Sequence, residues 1–574
     1  MEADHSTRIA ITPLGSISVS GGLGERLERS RAHLVRLDTD DLRRELVEPD
    51  AAWHWGADYM GRWIGAMAYL GTLTDDLTQV HRVAKELISH QRPDGSFGSY
   101  GEDHDFQEWF GMGRGLVGLL DYHAVTADPD ALAAACRLGD YYVEHYPEDG
   151  ALQIEVNATA LDGLVTLAVL TQEERYLDVA RRVADSSMPM RRLWASTDFG
   201  YRGLRIPVAG AVHCHLLTGR GLLDLFEVTH EDRYLEAVLA LYSHLMDQAI
   251  SVNGAVGEFL MGAEESETCS DADWLRLNLQ LWRVTDEARY LEMAEHVLLN
   301  AIFFDQTDTG AFTYRRGVQG RPGASFDACC SNHGPRAMVE AVSYAFAGPP
   351  DSLSVNLFLD ARGQVVVDGS PVEIETTTRH DSDSHSLALR LTLGAGADRS
   401  FPVRLRVPEW AGSATALVNG SPAAHAETPG IVAVSRQWSV GDVVEIRFPT
   451  RVRVVRGQTI GRHLTDERAV AVFYGPQLFC LTERLNPEHR LDLLRLTLPG
   501  SEPESSVQVV APDRLEVPGL GPDGAPLTLG LWPLSSTGGS PNGIGRTHPT
   551  KANYFKVWIP NGAVPALAVG PDRS

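Results

Sequence analysis

Glu267 and Cys269 stand two residues apart, and sixty residues after Cys269 the chain carries the adjacent pair Cys329 and Cys330. Three of only six cysteines therefore accompany one carboxylate. Thiolates and a carboxylate are the donors that a borderline-soft divalent ion such as zinc takes in tetrahedral geometry. Two plainer readings stand beside that one: a strained vicinal disulfide, and buried thiols that only pack. Cys-Cys is not a zinc-ribbon spacing. Four protein ligands would also make a closed site of the kind that is usually structural, so catalysis there requires a ligand to double as nucleophile.

Side chains two apart diverge on a helix and share a side in extended chain, which predicts that Glu267 and Cys269 lie just before a helix. Trp274, Leu277, Leu281 and Val284 supply that helix with one apolar stripe. Downstream of the cysteine pair, Gly334 and Pro335 suit the N-cap and first position of another helix running through Met338 and Val342. Helix N-termini favour thiolates. Both halves of the cluster are thus expected on helix-entry loops.

The elements around them follow from a degenerate repeat. Thr171-Gln-Glu-Glu-Arg-Tyr-Leu-Asp, Thr229-His-Glu-Asp-Arg-Tyr-Leu-Glu and Thr285-Asp-Glu-Ala-Arg-Tyr-Leu-Glu start 58 and then 56 residues apart, with weaker copies at Thr74 and Thr126. Apolar helices flank each copy. Five or more helical hairpins of that period imply a closed (α/α)6 barrel over residues 1–347, with an open solenoid as the alternative. Beyond the Gly-Pro-Pro at Gly348 the apolar period becomes two, in Val355 to Leu359, Leu387 to Leu393, Val403 to Val407 and Val443 to Phe448, which predicts a β-sandwich over 352–462. A second β-rich domain or sandwich extension is expected over 463–574. Its strands should lie at Ala469–Cys480 and Tyr554–Ile559, and the Gly/Pro/Ser-rich stretch from Pro499 to Gly545 between them reads as loop.

Composition bounds the partners. The chain has 574 residues with 50 basic and 76 acidic side chains, a formal charge of −26, which argues against nucleic acid and anionic membranes. Met1 to Ile9 holds Glu2, Asp4, His5 and Arg8 and reads as no export signal, and no run approaches a membrane span. Cysteines concentrated in one cluster rather than a disulfide framework fit a reducing cytoplasm. A homodimer is compatible with the sequence.

The chain resembles glycoside hydrolase family 127, the β-L-arabinofuranosidases and their relatives. The motifs that carry the resemblance run in order through Gln91-Arg-Pro-Asp-Gly-Ser-Phe-Gly98, the Arg-Tyr-Leu junctions, Glu267-Thr-Cys269, Asn300, Cys329-Cys330, Arg406-Val-Pro-Glu-Trp410, Val418-Asn-Gly420, Trp438-Ser-Val-Gly-Asp442 and Gly475-Pro476. The resemblance implies a retaining glycosidase with Glu267, Cys269, Cys329 and Cys330 as zinc ligands and Cys329 as nucleophile. It also implies a glutamate acid/base upstream of Glu267, and Glu258 is our choice, with Glu264 and Glu265 as alternatives. The family's loop between the two is longer than here.

Histidines hold sugar hydroxyls in that family. Here Gln107 and Asn157 stand near two of those positions, and His213 and His215 near a third. All four are expected sugar contacts, although His213-Cys-His215 also reads as core plus one hydrogen-bonding imidazole. Asp105 and His333 read as solvated positions near the same mouth. Trp53, Trp55, Trp63 and Trp109 could stack on a sugar or fill the barrel core. Cys136, Cys214 and Cys480 read as packing. Two rivals remain: a lyase-type toroid enzyme in which the cluster is structural, and a carbohydrate-binding homologue without activity.

Overall fold

The protein is described by a computed structural model. It describes residues 9–37, 39–47, 56–74, 76–98, 106–146, 154–187, 212–258, 260, 265–317, 319–320, 325, 327, 329–381, 385–457, 459–460, 463–464, 469–483, 485–536 and 555–562.

Among the described residues thirteen helices fill the first part: α1 Gly21–Val35, α2 Thr39–Val47, α3 Gly56–Gly71, α4 Thr78–Ser89, α5 Phe106–Thr126, α6 Pro129–His145, α7 Ile154–Thr171, α8 Glu174–Ser187, α9 Val212–Thr229, α10 Asp232–Gln248, α11 Thr268–Thr285, α12 Ala288–Val297 and α13 Cys330–Ala345. A π turn, Leu298–Ile302, and Phe303–Asp305 prolong α12. Alternate helices α3, α5, α7, α9, α11 and α13 each pack on the next, and α13 packs back on α3, so the ring is closed. The solenoid alternative is thereby removed. Helices α4, α6, α8, α10, α12 and α1 back the ring from outside. Glycines let α3 and α5 touch: a methyl group on Gly61 or Gly118 would overlap the facing backbone oxygen of Arg114 or Gly61.

The repeat proves to be a junction device. The hydroxyls of Thr171, Thr229 and Thr285 donate to the carbonyls of Leu167, Leu225 and Leu281 and accept from the N–H of Glu173, Glu231 and Glu287. The residue between, Gln172, His230 or Asp286, takes a left-handed φ of 55–60° that reverses the chain. Tyr176, Tyr234 and Tyr290 are then fully buried, each under the guanidinium of the preceding arginine.

A seven-stranded antiparallel sheet and a three-stranded sheet follow, sharing one core. The edge strand of the larger sheet is Ile17–Val19, paired antiparallel with Ala361–Val367, so the N-terminal segment belongs in part to the sandwich. A third sheet follows, ordered Val452–Arg456, Ala469–Tyr474, Gln477–Thr482, Pro526–Pro533, Arg514–Leu520 and Arg495–Leu496. The expected loop from Pro499 to Gly545 is therefore corrected: 508–533 is largely strand, its Pro518 and Gly519 lying within one. Asn300 pins this sheet to the barrel, donating to the carbonyl of Pro476 (3.0 Å) and accepting from the N–H of Leu478 (2.8 Å).

Arg406 does the same for the sandwich. It is 1% exposed and pairs at 2.6 Å with both Glu292 and Glu295 of α12, while Trp410 Nε1 donates to Glu295. Replacing Arg406 by Met strands the buried carboxylate of Glu295 and the half-buried one of Glu292 and should destabilise the chain by about 3–5 kcal/mol. Denaturant unfolding measures this, and adding Glu292→Gln and Glu295→Gln should restore part of the loss.

Candidate active site

The cluster assembles at one mouth of the ring, where the inner helices begin. Glu267 is the N-cap of α11 and Cys269 its second residue; Cys329 is the N-cap of α13 and Cys330 its first residue. The second helix thus starts four residues before the Gly-Pro that seemed to open it, and Pro335 lies inside as its sixth residue, where the ring removes the bond an N–H would make to the carbonyl of Ser331. Two helix N-termini consequently point at the same acidic groups.

The carboxylate and three thiols come within 4.8 Å of one another. Cys330 Sγ lies 3.6 Å from both Cys269 Sγ and Cys329 Sγ, and all six cysteines are free thiols, which removes the vicinal disulfide. Tetrahedral Zn–S bonds place sulfurs about 3.8 Å apart, so the donor set fits such an ion. Electrostatics point the same way. Burial pushes the Glu267 carboxyl up to about 8, with the Cys329 and Glu258 charges adding to it, and burial raises the Cys269 and Cys330 thiols well above their usual range. Hydrogen bonds from Cys269 and Cys330, followed by the charge of Arg62, hold Cys329 well below it. A divalent cation is what allows four such groups to ionise together.

His213, Cys269 and His333 form a second cluster of ligand type. Arg62 occupies it: Nη1 donates to His333 Nδ1 at 2.6 Å, Nη2 to His213 Nε2 at 3.3 Å, and Nε to Asp58 at 2.6 Å. The imidazole lone pairs are taken by a permanent cation, so the Glu267 set is the better metal site. His213 Nδ1–H in turn donates to Asp273 at 2.8 Å, which fixes the tautomer. Asp273 is fully buried; burial alone would raise its carboxyl, but His333, His213 and Arg220 hold it well below the usual range.

The remaining expectations fall as follows. Glu258 is 8% exposed, close enough for its charge to raise Glu267, and held by the bonds Val212 N–H to its carbonyl (2.9 Å) and its N–H to Glu265 O (3.0 Å). Glu265 is exposed, and Glu264 lies outside the described residues. His215 sits about 200° round α9 from His213 and is fully buried, outside the cluster. Gln107 and Asn157 occupy the first turns of α5 and α7, with their side chains outside the described residues. His333 is 2% exposed, not solvated. Trp63 and Trp109 are core, Trp63 donating to Leu34 O; Asp105, Trp53 and Trp55 lie outside the described residues. Arg62, Asp58 and Asp273 were not anticipated. A signal for them existed in the spacing, since Asp58 and Arg62 are an i, i+4 pair on an otherwise apolar helix.

The family model of the GH127 β-L-arabinofuranosidase catalytic domain matches residues 43–340, and that of the GH127 middle domain matches 352–450. The chain belongs to glycoside hydrolase family 127. It is similar in fold to a solved GH127 β-arabinofuranosidase (19% identity, TM-score 0.78, covering 97% of this chain and 99% of that one). Comparable likeness extends to a structure described only as a glycoside hydrolase (17%, 0.75, 98% and 99%) and to a GH127 β-L-arabinofuranosidase from Geobacillus stearothermophilus T6 (18%, 0.72, 95% and 94%). No curated protein matches the sequence. As a GH127 member this chain is a glycoside hydrolase, and the lyase alternative is set aside. Among the described residues no helix is long and apolar enough to cross a membrane.

Proposed function

We propose that this GH127 hydrolase cleaves terminal β-L-arabinofuranosides or a related furanoside with retention, through a cysteine nucleophile in a zinc site. The observation that carries the reading is the asymmetry of the cluster: Cys269 and Cys330 are fully buried, whereas Cys329 is partly exposed and is the one thiol whose neighbours favour the thiolate. The sugar is proposed from the names of the family and of its solved members. Six free thiols support a reducing compartment such as the cytoplasm.

Bound by Glu267, Cys269, Cys329 and Cys330, zinc would keep Cys329 deprotonated at neutral pH. In the first step the Cys329 thiolate forms a C–S bond to the anomeric carbon as the C–O bond breaks, and Glu258 gives its proton to the leaving oxygen. In the second, Glu258 takes a proton from water, which attacks the same carbon, and the thiolate departs. Two inversions retain configuration. Arg62 and Asp273 orient His213 toward this mouth through both ring nitrogens.

An early NMR time course should show product of retained configuration; an inverted product would exclude Cys329 as nucleophile. Glu258→Gln should slow alkyl glycosides by about 100- to 10,000-fold, while glycosylation by an aryl glycoside, whose phenolate leaves unaided, slows far less. The variant also lacks a base for the second step, so the aryl substrate should give a burst and a sugar-sized mass increase on the Cys329 peptide. Equal losses for both leaving groups, with no trapped adduct, would move the acid/base role to Glu264 or Glu265.

A further inference from the structure

At the far mouth of the ring, where the inner helices end, lies a cavity of about 310 Å³. Every inner helix contributes to its wall, through Tyr69, Asp121, Asp162, Asp224, Arg283 and Tyr344. We infer that this cavity is a second binding site, separate from the zinc mouth, for a neutral polyhydroxylated ligand the size of one monosaccharide.

Charge excludes the ionic classes first. The wall arginines are matched by carboxylates: Arg336 with Asp121 at 2.7 Å, Arg276 with Glu340 at 2.5 Å, Arg283 with Glu227 at 2.7 Å and Arg220 with Asp273 at 3.2 Å. An anion would therefore have to break a buried pair, at a penalty its own contacts do not recover; a cation would find Asp162 already held by Arg114 and only Asp224 without such a pair, its carboxyl pushed up to about 7 by burial. Pairing does not exhaust the groups, however. A guanidinium has five N–H donors and a carboxylate about four lone-pair sites. Arg336 Nε is buried and makes no hydrogen bond, and Asp224 accepts from Gln280 at 3.0 Å on one oxygen. Asp224 thus keeps an acceptor on the wall, and the guanidinium groups keep N–H donors that their carboxylates do not take. A hydroxyl is donor and acceptor at once, so vicinal hydroxyls complement such a wall as no singly charged group does.

Size and rim narrow the class further. The volume is at the lower end for ligand pockets, enough for one sugar ring and too small for an oligosaccharide. Ile11 and Leu170, 41% and 46% exposed, line the opening and offer apolar surface to the C–H face of such a ring.

Arg220 and Arg276 also hold Asp273, and through it His213, so variants that test the cavity must avoid them. Thr166 is exposed on the rim, and Asp224 is joined to the shared arginines only through Gln280. The experiment is calorimetric titration of the zinc-loaded protein with L-arabinose, D-xylose and D-glucose in a His213→Ala background, which removes the side chain that Arg62 and Asp273 hold at the catalytic mouth. One saturable site should remain for at least one sugar. Thr166→Trp, which fills the opening, should abolish it, and Asp224→Leu should weaken it about tenfold or more. Circular dichroism establishes that each variant is folded. No saturable binding in the His213→Ala protein, or binding that survives both Thr166→Trp and Asp224→Leu, would overturn the inference. Turnover enters neither arm, so a failure here is distinct from a failure of the proposed hydrolysis.

Discussion

Cys329→Ala should reduce hydrolysis of an aryl β-L-arabinofuranoside by about 10,000-fold or more, the loss typical of deleting a covalent nucleophile. The protein should remain folded, because Cys329 is the partly exposed member of its cluster and only its sulfur is removed. Cys330→Ala makes the informative contrast. Cys330 is fully buried behind Cys329, so its loss acts on the metal and on the Cys329 charge rather than on bond formation. Stopped-flow and steady-state rates, with metal content measured alongside, separate the two. Cys329→Ala activity within tenfold of the parent would remove the cysteine mechanism altogether.

Cys269→Ser should lose zinc and activity together. A serine hydroxyl does not ionise near neutral pH as a zinc-bound thiol does, so the site drops to three good ligands. Elemental analysis should fall from one zinc per chain to about a tenth of that or less, and rates should fall in parallel. Cys480→Ser is the control: it changes a buried thiol within the third sheet, outside the cluster, and should leave metal content unchanged. Metal-free protein with full activity would refute the zinc site and leave the thiols as packing.

What the sequence disclosed, and what it hid, has a common physical cause. Thiols are scarce, so four ligand-type residues in two short motifs stand out against the background of 574 positions. The Thr-x-Glu junctions stand out because a specific set of backbone bonds and a left-handed residue restrict what can occupy them. The charged interior did not stand out. Asp273, Arg276 and Gln280 occupy the side of α11 away from its apolar stripe, a pattern that on a surface helix means solvent, yet all three are buried. In a ring the second face of an inner helix turns to the lumen, and there buried ions pair with one another. For the same reason Arg62 was missed and His333 was read as solvated. The start of α13 was misplaced because Gly334 and Pro335 are strong local punctuation, overridden here by tertiary packing. The strands between 508 and 533 were hidden by their own proline and glycine content.

The closure of the ring has a kinetic consequence. Its final seam joins α3 to α13, and Arg62 bridges that seam to His333 across 271 residues of chain. Such a contact is among the last that a growing polypeptide can make, since nearly every hairpin must already be stacked before the two ends meet. The Cys329 charge is therefore fully supported only at completion: on an unfinished ring it has the hydrogen bonds of Cys269 and Cys330 but lacks the arginine. Recovery of glycosidase activity during refolding should then trail the recovery of helical signal, making catalysis itself a clock for the last step of assembly.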